Sequence, residues 1–82
     1  MDSIKYVVVK FLKQTVVIQK QNIGLIDVNE DNDKTKITMS LNTGQKMEMV
    51  FKEPLDAYAT LDKIMSSDSV SKINPIYMTT II

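Results

Sequence analysis

Thr35-Lys-Ile-Thr-Met-Ser-Leu-Asn-Thr-Gly-Gln-Lys-Met-Glu-Met-Val-Phe-Lys52 is the stretch whose reading decides the fold. Ile37, Met39 and Leu41 alternate with Lys36, Thr38 and Ser40. Past the turn, Met47, Met49 and Phe51 alternate with Lys46, Glu48 and Lys52. A period of two means that one face of each arm is buried and the other wet, as in a half-covered antiparallel pair. Gly44 supplies the left-handed residue that a three-residue loop with a bulge needs. With Asn42-Thr43-Gly44 as that loop, Met39 faces Met47 and Ile37 faces Met49, so turn and hydrophobic pattern select the same register.

Upstream, residues 4–12 are rich in β-branched and aromatic side chains and predict a strand. Val7, Val9 and Phe11 line one face of it, and Ile4, Tyr6 and Val8 the other. Thr15 to Gln19 predicts a second strand. A tight turn at Lys13-Gln14 would set Phe11 against Val16 and Val9 against Ile18. Ile23 to Asn29 predicts a third strand, with Ile23 and Leu25 on one face and Ile26 and Val28 on the other. Gly24 within it signals a bulge or a close backbone approach. Asn29 to Lys34 reads as an acidic polar loop.

Downstream, Glu53-Pro54 closes the sheet. Proline fits the first helical position, and Asp56 fits the first turn, where the helix dipole favours an anion. Ala57, Tyr58, Leu61, Ile64 and Met65 recur at three- and four-residue spacing, which predicts a helix from about Pro54 to Ser66 with one core-facing stripe. On that stripe Tyr58 reads as a core residue with a wet hydroxyl. The Ser-rich segment 66–71 reads as a linker. The tail, residues 73–82, carries no charge. It predicts a strand with Ile76, Met78 and Ile82 on one side and Tyr77 and Ile81 on the other, placed at an edge or strand start by Pro75. Its simplest use is to pair with the sheet of its own chain; its alternative use is to dock on a neighbour.

The expected fold class is therefore α+β, with a curved, mostly antiparallel sheet of five to six strands or a small open barrel, and one helix after the central hairpin. The expected organisation is a single domain over residues 1–72, followed by an apolar strand or docking tail over 73–82.

Composition excludes several kinds of chemistry. The 82 residues hold no Cys, His, Arg or Trp. Thiolate nucleophiles, disulfides, imidazole bases and bidentate guanidinium forks are thereby removed. Lysines number 10 and acids 10, so no net field steers the chain toward nucleic acid or an anionic surface. No apolar run reaches the length of a membrane span, and Met1-Asp2-Ser3-Ile4-Lys5 lacks a signal-peptide layout. Asp27, Asn29, Asp31 and Asp33 have the odd-position spacing of a calcium loop. However, Asn32 stands where that loop needs Gly and Thr38 where it needs Glu, so a solvated turn is the better reading. No cofactor and no catalytic group is expected. The chain reads as a non-enzyme of the cytoplasm, or alternatively a component of a virion, of the small accessory type found in bacteria and phages.

Counting apolar faces gives the functional expectation. One helix of about three and a half turns covers one face of a sheet, yet the first three strands offer two. At about 25 cal/mol per Å², a few exposed aliphatic side chains forfeit several kcal/mol, which a chain this small can hardly spare. The expected function is a protein-interaction or assembly module that self-associates, or binds another protein, through Tyr6, Val8, Val17, Ile76, Tyr77, Met78 and Ile81. The five internal methionines read mainly as core on the same pattern. The alternative is a nucleic-acid-binding accessory protein using Lys5, Lys10, Lys13 and Lys20, with Tyr6 and Phe11 interleaved, although Phe11 sits on the expected core face.

Overall fold

The computed structural model describes residues 3–81. Its elements run β1 (Tyr6–Phe11), β2 (Gln14–Gln19), a 3-10 turn (Lys20–Asn22), β3 (Ile23–Asp31), β4 (Lys34–Leu41), β5 (Lys46–Phe51), α1 (Pro54–Met65), β6 (Val70–Ile73) and β7 (Tyr77–Ile81). The α+β class with one helix holds. The strands, however, form two separate sheets, one of three strands in the order β2-β1-β6 and one of four in the order β3-β4-β5-β7. A single curved sheet was the expectation; β6, which the Ser-rich segment hid, is what builds the smaller sheet's second edge. It pairs parallel to β1, while all other pairings are antiparallel.

The central hairpin is as its pattern dictates. Ile37 pairs with Met49 and Met39 with Met47. Gly44 sits at φ 95°, and its N–H donates to Leu41 O (2.9 Å) while Leu41 N–H donates to Gln45 O (2.8 Å), the bonding of a three-residue loop with a bulge. At Gly24 the β3–β4 register shifts, as the glycine foretells. A Cβ there would lie 2.8 Å from Asn42 Oδ1.

Two turns differ from expectation. The β1–β2 loop is Leu12-Lys13, so Val9 faces Val16 and Val7 faces Ile18. That is a slip of two residues from the expected pairing, which leaves every side chain on its expected face. The supposed acidic loop is strand almost throughout. Asn29 pairs with Lys36 and Asp31 with Lys34, and only Asn32-Asp33 turns, with Asn32 at φ 51°. Opposite charges across the ladder favour that pairing, and Asn tolerates the left-handed conformation.

The buried faces of both sheets and of α1 meet in one core. Val7, Val9, Ile18 and Ile73 come from the smaller sheet; Ile37, Met39, Met47, Met49, Phe51 and Met78 from the larger; Ala57 and Ile64 from the helix. The helix stripe is rotated from the expected one. Ala57, Thr60 and Ile64 are buried, whereas Tyr58 and Met65 are exposed. Thr60 can be buried because its hydroxyl donates to Asp56 O (2.8 Å) within the helix.

The tail strand β7 joins the larger sheet of its own chain, Met78 against Met49 and Tyr77 against Val50. Ile82, predicted beside Ile76 and Met78, lies outside the described residues.

Candidate interaction surface on the three-stranded sheet

The outer face of the smaller sheet follows from the inner one. Val7 and Val9 are fully buried, so strand parity turns Tyr6, Val8 and Lys10 outward. The Leu12-Lys13 loop then fixes Thr15, Val17 and Gln19 as the outward residues of β2. In β6, Ser71 and Ile73 are buried, which leaves Val70 and Lys72 outside. Register places Val17, Val8 and Lys72 in one row, and Gln19, Tyr6 and Val70 in the next. Val17 is 58% exposed and Val70 49%, with Tyr6 and Val8 half-buried between them. The three strands contain no carboxylate. Val70 and Lys72 were missed because Ser66 to Ser71 reads as a linker; the alternation Val70-Ser71-Lys72-Ile73 was the available signal.

The other expected interaction residues lie on β7 of the larger sheet or, for Ile76, just before it. Ile76, Tyr77 and Ile81 are exposed, and the Tyr77 ring meets Phe11 edge-on at 5.6 Å. Met78 points the other way, into the core, because it is paired with Met49 on the buried face. The structure thus groups Tyr6, Val8 and Val17 on one sheet and sets the tail residues apart from them on the other.

The lysines are divided as well. Lys10 projects from the outer face of β1, and Lys13 sits in the loop. Lys20 is held: its ammonium donates to the carbonyls of Lys63 (3.2 Å), Ser66 (3.0 Å) and Asp68 (3.0 Å), closing the C-terminus of α1. A cation there satisfies carbonyls left free by the last turn and complements the helix dipole. Ser71 Oγ donates to the same Lys63 carbonyl (2.7 Å).

Beside β2 opens a cleft of about 190 Å³, lined by Val16, Ile18, Leu41, Gln45, Lys46, Met47 and Thr80. Among the described residues, no group of three or more His, Cys, Asp or Glu is placed to hold a metal ion, and no helix is long and apolar enough to cross a membrane. Comparison with family models, with curated proteins and with solved structures finds no match to this chain.

Proposed function

We propose that this protein is a non-enzymatic assembly module that self-associates through the outer face of its three-stranded sheet. The observation that supports this most is the contiguous apolar group of Tyr6, Val8, Val17 and Val70, on strands that carry no acidic residue. Apolar side chains gathered on a sheet face, rimmed by Lys10, Lys72, Thr15 and Gln19, are what a protein-protein contact uses. A formal net charge of zero leaves little long-range repulsion between copies. Sedimentation velocity over a wide concentration range tests the reading: a rising weight-average mass is expected, and a constant monomer mass overturns it.

A second reading rests on a different property of the same face. Lys10, Lys72 and Tyr6 lie together there without a neighbouring carboxylate on their strands, and such a surface can stack and neutralise single-stranded nucleic acid. Lys20, engaged by the helix carbonyls, contributes little to it. Salt-dependent binding of labelled single-stranded DNA, lost in a Lys10→Glu/Lys72→Glu variant, is the outcome that would favour this reading.

A further inference from the structure

Among the described residues no strand pairs with the outer edge of β2, and that edge carries a more specific message, which rests on the self-association reading. Lys20 N–H donates to Lys5 O at 2.8 Å, so Lys5 and Lys20 form a hydrogen-bonded pair of the β1–β2 ladder. Pairs in an antiparallel ladder alternate between bonded and non-bonded. Ile18 and Val16 therefore bond to β1, while Thr15, Val17 and Gln19 aim their N–H and C=O groups away from it, off the edge of the sheet. Unpaired strand edges are ordinarily blunted by charge, by bulges or by brevity. The edge strand β3 carries Asp27, Glu30 and Asp31 and a bulge at Gly24; the edge strand β6 has four residues including Lys72. β7 lacks charge but follows Pro75, a residue type that blunts strand edges. The segment Gln14-Thr-Val-Val-Ile-Gln19 has none of these protections.

The geometry points to a second copy of this chain as the occupant of that edge, paired antiparallel through β2 about a two-fold axis at Val17. Paired residues must share a face, so the sum of their numbers is even. Centring on Val17 sets Val17 against its own copy, Thr15 against Gln19 of the other chain, and Val16 against Ile18. The three pairs that involve Thr15, Val17 and Gln19 each exchange two backbone hydrogen bonds, so every outward backbone group of the strand is satisfied. Gln14 then meets Lys20, the residue just past the strand, so no like charges are opposed in the ladder. Two three-stranded sheets become one of six. The apolar cleft beside Val16 and Ile18 lies along the seam, where the incoming Val16 and Ile18 close it. Centring on Val16 instead would oppose Ile18 to Gln14, and it leaves the exposed Val17 against Thr15. The occupant is a second copy because the edge matches itself in side chain and hydrogen-bond phase and opposes no like charges. A contact of one strand is small, so the dimer is expected to form at micromolar concentrations or above.

The chain has no cysteine, so single thiols report the register. Sedimentation of the wild type from about 1 to about 300 µM is compared with Val17→Pro, which removes an N–H that β1 does not use and leaves that ladder intact. Cross-linking of Val17→Cys and Val8→Cys uses a thiol reagent spanning roughly 8 Å, shorter than the three strand spacings of about 4.8 Å that would separate the two Val8 positions. The expected result is a wild-type dimer, a dissociation constant raised about tenfold or more by Val17→Pro through the lost edge bonds, and covalent dimer from Val17→Cys but not Val8→Cys. A wild type that stays monomeric overturns both this proposal and the reading beneath it. A wild-type dimer that Val17→Pro leaves unchanged, or that links through Val8→Cys and not Val17→Cys, overturns the edge pairing alone. Should Val17→Pro lose its circular-dichroism melt, the two thiol variants decide.

Discussion

Leu12 stands in the left-handed region at φ 54°, with its side chain 78% exposed. A leucine there accepts the clash of its Cβ with the following carbonyl and gains almost no burial in return. Leu12→Asn is expected to stabilise the chain by about 1 kcal/mol, a rise of about 4–8 °C in melting temperature for a domain of this size. A calorimetric scan that shows no rise would mean that the leucine makes contacts that matter. The same residue explains why the first turn escaped the sequence reading: neither Leu12 nor Lys13 carries a turn signal, whereas Gly44 and Asn32 do. Thr35 is the complementary case. It is 1% exposed, and its Oγ1 has no hydrogen-bond partner among the described residues. Thr35→Val keeps the shape and removes a desolvated hydroxyl, so it is expected to be neutral or to stabilise by up to about 1–2 kcal/mol in urea denaturation.

Among the elements, α1 and β6 depend on a lysine distant in sequence. The Lys20 ammonium binds carbonyls at the end of the helix and in the segment leading to β6. Lys20→Met, which keeps the stem and removes the donor, is expected to cost about 1–2 kcal/mol, as for other charged groups that close a helix end in partly buried geometry. Hydrogen exchange should show faster opening of residues 63–71 with β4 and β5 unaffected; uniform loss of protection would argue against a local clamp. Legibility divided along the same line. The β4–β5 hairpin could be read to the residue because its buried residues recur at every second position in both arms, Val50 alone being apolar on the outer face, and its glycine fixes the loop. The helix could be placed from Pro54 and its spacing, but its rotation could not, since a buried Thr60 is indistinguishable in sequence from a wet one. β6 was barely legible, because its alternation runs for only four residues, and its place comes from parallel pairing with β1, which sequence spacing does not bring near. The outer face was half legible: Tyr6, Val8 and Val17 followed from strand parity, but Val70 and Lys72 needed β6.

For the molecule as a whole, the question raised by the apolar surplus is how much of it the fold encloses. Val7, Val9 and Ile18 are enclosed, while Val17 remains 58% exposed and Leu25 63% exposed. Scattered exposed aliphatics are ordinary, and Leu25, Leu55 and Met65 need no partner to explain them. Val17 differs because register sets it beside Val8 and because its backbone groups point off the sheet. If self-association uses that face, folding and assembly are linked, and apparent stability must rise with protein concentration. Val8→Thr/Val17→Thr keeps branched side chains suited to strands and makes the face polar. Its monomer is expected to match wild-type monomer stability within about 0.5–1 kcal/mol, since neither substitution opens a core cavity. In denaturant titrations at low and high concentration, the wild-type midpoint should move upward and that of the double variant should move less, because it keeps the backbone groups of the β2 edge and loses only apolar contact. Equal midpoints for the wild type at both concentrations would leave the exposed valines as ordinary surface and would remove the argument for assembly through this face.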